Sequence, residues 1–166
     1  GIDYYELKKV STITNITKNF YKNWDEKLYK TYLKTFNIDP SKRIKELSAG
    51  MKVKYQIAVA LSHNAKLLIL DEPTSGLDPV SREELLSLFM YLAQTKKISI
   101  LFSTHITSDL EKCADTITYI KDGNLIASME KMKFIKHFQY LKTSSTKPDL
   151  TLEEIMIKNE RCSYDF

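Results

Sequence analysis

Between Val10 and Phe36, apolar and aromatic residues (Ile13, Ile16, Phe20, Trp24, Leu28, Tyr32, Phe36) recur at three- and four-residue steps, the spacing of one helix face. That predicts two helices broken near Asn23, with their aromatics in a core and one exposed face open to a partner helix. Asp39-Pro40 marks a turn, and a further amphipathic stretch predicts a helix over about 48–63. The period then changes. Residues 66–70 and 98–103 are short continuous apolar runs, the mark of strands buried on both faces of a parallel sheet. Between them Pro79-Val80-Ser81 opens a helix that carries Leu85, Leu86, Phe89 and Leu92 on one face. Strand, crossover helix and strand make a right-handed βαβ unit. A short helix over 109–113 is followed by TITYI and NLIASM, a hairpin that turns on Asp122-Gly123. The tail from Glu130 predicts two helices separated by the polar KTSSTKPD. The pattern reads as α/β, with a helical subdomain over 1–63, a small parallel core over 64–129 and a helical C-terminal tail over 130–166.

Composition narrows the classes. The chain has 166 residues, enough for one domain that buries about 70% of its unfolded surface. Its net charge of +4 comes from lysines scattered end to end without a run of like charges, so a solvated surface is expected and no nucleic-acid partner. Cys113 and Cys162 lie far apart, without metal-like spacing, as reduced thiols of a cytosolic protein do. The apolar runs fall far short of the ~20 residues a membrane helix needs, and no signal segment opens the chain. A cytosolic polypeptide is expected, whose membrane role must come through a partner.

Three segments carry chemistry. In LSAGM the small residues Ser48, Ala49 and Gly50 open a helix, where first-turn amides and the positive dipole end suit a phosphate and Ser48 adds a hydroxyl. In LLILDEPTSGLD a strand ends in two adjacent acids, Asp71 and Glu72, which repel one another unless they work. In nucleotide hydrolases such a first acid holds Mg2+, and the second can orient or deprotonate an attacking water. In ISILFSTH a second strand leads to His105, placed where α/β sheets bind ligands.

Taken in this order, the segments resemble those of the ATP-binding cassette (ABC) ATPases, over nearly the whole chain. LSAGM looks like the family's signature motif, LLILDE its Walker B, SGLD its D-loop and STH its switch histidine. DLTLEEIMI near the C-terminus looks like the tails of bacterial ABC ATPases that serve two-component exporters. The resemblance implies a P-loop NTPase-type parallel sheet, here partial, and ATP and Mg2+ as cofactors. It implies that Asp71 binds Mg2+ through water, Glu72 is the catalytic base and His105 contacts the γ-phosphate. Leu47, Ser48, Ala49, Gly50 and Met51 would touch ATP held on the opposite subunit of a homodimer or heterodimer. The D-loop residues Ser75, Gly76, Leu77 and Asp78 would lie at the dimer seam. The implied partner is a transmembrane permease subunit, and the implied location the inner face of the cell membrane. Ala49 stands where the family commonly has Gly, and Met51 where it commonly has Gln.

One expected element is missing from these residues. A phosphate loop reads G-x-x-x-x-G-K-[ST], whereas the glycines are Gly1, Gly50, Gly76 and Gly123 and none precedes lysine. No glutamine occurs before Gln56 to serve as the family's Mg2+-reaching glutamine. The expectation is therefore the C-terminal part of a longer exporter ATPase, inactive by itself. Its sheet would lack one strand, leaving ladder groups that invite rearrangement, swapping or self-association. Two other readings are a non-transport ABC ATPase acting on ribosomes or DNA, and a non-catalytic interaction module. The first would carry long coiled coils or tandem cassettes, which these residues do not show. The second would keep its partner after substitution of Asp71, Glu72 and His105.

Overall fold

The computed structural model describes residues 5–141 and 150–160, so KTSSTKPD and Cys162 lie outside the described residues. The chain divides into two compact units, 1–104 and 105–166. In the first, α1 (Val10–Thr17) runs into a 3-10 turn and is followed by α2 (Glu26–Thr35), α3 (Ala49–Ser62), β1 (Leu67–Asp71), α4 (Pro79–Lys96) and β2 (Ser99–Ser103). In the second, α5 (Thr107–Cys113) leads to β3 (Thr116–Lys121), β4 (Asn124–Glu130), α6 (Lys131–His137) and α7 (Leu152–Glu160).

Local chemistry explains the boundaries. Asp25 starts α2 by accepting the Leu28 amide at 2.8 Å, and Ser48 starts α3 by accepting the Met51 amide at 3.2 Å, as N-caps do. Asn64, just beyond α3, takes a left-handed φ of 66°, which suits the end of a helix. Asp122 and Gly123 both have positive φ, 51° and 75°, so the hairpin closes through a two-residue turn whose twist matches the strands.

The helical layer packs on Val10, Tyr29, Leu33, Ile38, Ile44, Leu47, Tyr55 and Ala58. Its buried stripe differs from the expected one. Val10 and Thr14 of α1 and Tyr29 and Leu33 of α2 are buried, whereas Phe20 and Ile16 are 79% and 59% exposed and Ile13, Trp24, Tyr32 and Phe36 only half-buried. The reason is a hydroxyl cluster. Thr14 Oγ1 donates to the Val10 carbonyl at 3.0 Å and stands 2.6 Å from the Tyr29 hydroxyl and 2.8 Å from that of Tyr55. One proton and two lone pairs serve those three contacts. Polar atoms can therefore occupy the centre, and the helices turn these positions inward.

β1 and β2 pair in parallel with Ile69 opposite Leu101 and Asp71 opposite Ser103, and β3 pairs with β4 in a separate antiparallel sheet. The second unit packs Tyr119, Phe134, Phe138, Leu152 and Ile155 into its own core. The parallel strands are not buried on both faces as the apolar runs predict. Leu85, Leu86, Phe89 and Leu92 of α4 are buried, and the Phe89 ring lies 5.6 Å from Phe102 on one side of the sheet. On the other side Leu67, Ile69 and Leu101 are 51%, 71% and 58% exposed. Among the described residues β2 has no second neighbour, so ladder groups and an apolar face are open together. Such an edge promotes association. If the chain associates through this face, replacing both Ile69 and Leu101 by lysine should weaken that association at least about tenfold, since each side chain carries ~1.5–3 kcal/mol of burial. Sedimentation velocity checks this, and an unchanged profile would count against the face.

Candidate functional site

The first cluster sits at the carboxyl ends of the strands. Asp71 is the last residue of β1 and is exposed, with Glu72 half-buried. The chain leaves the strand through Glu72 at φ 44°, a left-handed conformation that side-chain-bearing residues seldom adopt. Ser103, the last residue of β2, reaches both acids. Its hydroxyl donates to Asp71 Oδ1 at 2.5 Å and accepts the Glu72 amide at 3.1 Å, while its carbonyl accepts the same amide at 3.2 Å. The Asp71 carboxylate and the Glu72 backbone are thus held at a defined junction between strand ends.

Beyond Glu72 the chain turns tightly. The Ser75 amide donates to the Glu72 carbonyl and the Leu77 amide to that of Thr74, with Thr74 buried and Gly76 at φ 69°. Asp78 then caps α4, accepting the amides of Val80 and Ser81 at 3.0 Å each. The Ser81 hydroxyl and then its amide hold the Asp78 carboxyl below its usual range.

The second cluster is the start of α3. The Ser48 oxygen accepts the Met51 amide, leaving its hydroxyl proton to donate, and the amides of Ala49 and Gly50 lie too early in the helix for an intrahelical acceptor. Ser48 and Ala49 are exposed. Leu47 is buried in the helical core and Met51 packs against it. Gly50 is buried for another reason. A Cβ added to it would stand 3.2 Å from Ser81 Cβ and 4.0 Å from Leu77 Cδ2. The N-termini of α3 and α4 therefore touch, and Lys54 pairs with Glu84 between the same helices at 2.6 Å. Folding brings LSAGM and SGLD together although some thirty residues separate Gly50 from Ser81. Gly50→Val should destabilise this unit by ~1–3 kcal/mol through overpacking, and Ser81→Gly should return part of that loss. Urea denaturation of the double-mutant cycle checks it, and a coupling near zero would remove the contact from the account.

His105 opens the second unit and is exposed. In that unit burial pushes the Cys113 thiol up to about 11, and the thiol donates to the Asp109 carbonyl at 3.2 Å, so it stays protonated and unreactive near neutral pH. Among the described residues no group of three His, Cys, Asp or Glu could cage a metal, and no helix is long and apolar enough to cross a membrane. Sequence reasoning did not find Ser103 or Ser81. A single serine carries no periodic signal, and only the strand register and the helix contact reveal what each one touches.

Paired acids at the end of a parallel strand, followed by a glycine turn into a capped helix, define a nucleotide-hydrolase type of α/β core. Residues 14–108 match the family model described as "AAA domain, putative AbiEii toxin, Type IV TA system". The chain is 34% identical over 120 residues to the bacitracin transport ATP-binding protein BcrA of Bacillus licheniformis, covering 70% of this chain and 39% of that protein. It is 42% identical over 94 residues to the lantibiotic transport ATP-binding protein SrtF of Streptococcus pyogenes, covering 57% and 40%. A solved structure described as the ATP binding subunit of an ABC transporter superposes with a TM-score of 0.70 at 26% identity, covering 93% of this chain and 63% of that one. The chain belongs to this AAA-domain family, and the relatives and the solved structure that it resembles are ATP-binding proteins of ABC transporters. It spans about two fifths of the length of the curated relatives.

Proposed function

We propose that the chain is the Walker B and signature portion of an exporter ATPase subunit, which hydrolyses ATP as a homodimer or heterodimer and drives a transmembrane permease from the cytoplasmic face of the membrane. The observation that carries this reading is the Asp71–Glu72 pair fixed at the carboxyl ends of two parallel strands. The names of BcrA and SrtF, both transport ATP-binding proteins, support transport over action on ribosomes or DNA. The side chains that meet here, Asp71 and Ser103, offer only oxygen, and one carboxylate at that. This suits Mg2+, which binds through one or two carboxylates and substrate phosphates. Bound with ATP, the ion neutralises charge on the phosphate oxygens. Asp71 would hold it through water.

Glu72 would take a proton from, or orient, the attacking water, and His105 would meet the γ-phosphate. Ser48 would give its hydroxyl proton, and Ala49 and Gly50 their amides, to ATP carried by the opposite subunit. Leu47 and Met51, turned into the core, would hold that helix start in place. Ser75, Gly76, Leu77 and Asp78 would form the seam, and the helical part over 1–63 would transmit closure to the permease. The core over 64–129 and the tail over 130–166 complete the division.

No G-x-x-x-x-G-K-[ST] loop occurs in these 166 residues. The chain by itself should therefore show no ATP turnover above buffer, and Glu72→Gln should change nothing. Turnover in the chain alone that this substitution abolishes would overturn the reading.

A further inference from the structure

We infer that Ser103 is a positioning residue for both acids, the point at which the second strand sets the geometry of the first. The inference rests on the reading of Asp71 as the residue that holds a hydrated divalent cation. The register places Ser103 directly opposite Asp71, so its side chain emerges on the same face of the sheet. A serine hydroxyl has one proton and two lone pairs. Here the proton goes to Asp71 Oδ1 and a lone pair takes the Glu72 amide. With Oδ1 engaged, the Asp71 carboxylate is restrained about its side-chain torsions, and its remaining acceptor capacity points to one side rather than sweeping through solvent.

The second contact acts on the backbone. Glu72 holds a left-handed φ of 44°, a conformation that persists only where surrounding bonds over-determine it. Its amide is shared between the hydroxyl and the carbonyl of Ser103, which supplies that determination. The kink starts the tight turn after the strand, so the direction taken by the Glu72 side chain depends on Ser103 as well. A strand-end serine on an exposed face could equally bond water. This one instead uses its donor and an acceptor on the two adjacent acids. Partners that orient a metal-binding group characteristically change affinity without belonging to the ligand set.

The test uses the 166-residue chain and Mn2+ alone as a paramagnetic stand-in for Mg2+, titrated into wild type, Asp71→Asn, Ser103→Ala and Ser103→Thr. Wild type should bind Mn2+, however weakly, and Asp71→Asn should lose that binding. Ser103→Ala should weaken it about tenfold and speed hydrogen exchange at the Glu72 amide, with the thermal midpoint nearly unchanged because the site is exposed. Ser103→Thr, which keeps the hydroxyl, should restore both. If Asp71→Asn leaves Mn2+ binding intact, or wild type binds none, the cation reading fails and takes the positioning role with it. If Asp71→Asn abolishes binding while Ser103→Ala binds like wild type, the cation reading stands and the positioning role is wrong. A Ser103→Thr variant that behaves like Ser103→Ala also overturns it.

Discussion

Thr14→Val is expected to destabilise the first unit by ~2–4 kcal/mol, because it takes the shared oxygen from two buried phenols, leaving Tyr55 only a long 3.4 Å contact to the Val10 carbonyl, and each unpaired hydroxyl costs ~1–3 kcal/mol. Valine keeps the shape of threonine, so little of the loss can come from a cavity. Thr14 is 3% exposed, Tyr29 4% and Tyr55 2%, and water cannot replace the missing oxygen without opening α1 from α2 and α3. Tyr29→Phe removes one donor and leaves Thr14 its contacts to Val10 and Tyr55, so it should cost only about 1 kcal/mol. Urea denaturation followed by far-ultraviolet dichroism separates the two outcomes. Equal, small losses for both variants would mean that the cluster does not organise the helices.

The same phenols set an alkaline limit. Burial raises the Tyr29 hydroxyl well above its ordinary 10.0, and burial likewise raises that of Tyr55. A group whose folded value is raised contributes stability that is fully present below the unfolded value. That stability is lost as pH rises toward and through the folded value. The chain should therefore keep this contribution up to about pH 10 and lose it progressively above, once the unfolded tyrosines give up their protons.

Which features could be read from the sequence follows from how local their causes are. The helix expected over 48–63 appears as Ala49–Ser62, because a capping serine and an amphipathic run are adjacent in the chain. The hairpin was legible because Asp122-Gly123 accepts positive φ at both positions. The inward face of α4 was legible because four large apolar residues share it. The buried stripe of α1 and α2 was not, since Thr14, Tyr29 and Tyr55 score as polar until their hydroxyls are seen to satisfy one another. Nor was the open face of β1 and β2, because an apolar run does not record which neighbours are present to cover it. The acids and the α3 start were visible as motifs. The contact of Gly50 with Ser81 and the bridge from Ser103 were not, because their partners lie about thirty residues away and only the fold selects them.

Glu72→Gln should produce the largest effect of all once a phosphate loop is supplied. Glutamine keeps the size and the hydrogen-bonding reach of glutamate but cannot accept a proton, and loss of a general base costs ~100- to 10,000-fold in rate. The direct measurement is steady-state ATP turnover of a chimera in which the phosphate-loop portion of BcrA precedes residue 1, compared with the same chimera carrying Glu72→Gln and with the chain alone. The account predicts turnover only in the first, falling at least about 100-fold on substitution, with nucleotide binding retained in both chimeras. A folded, nucleotide-binding chimera whose turnover is indifferent to Glu72 would contradict it.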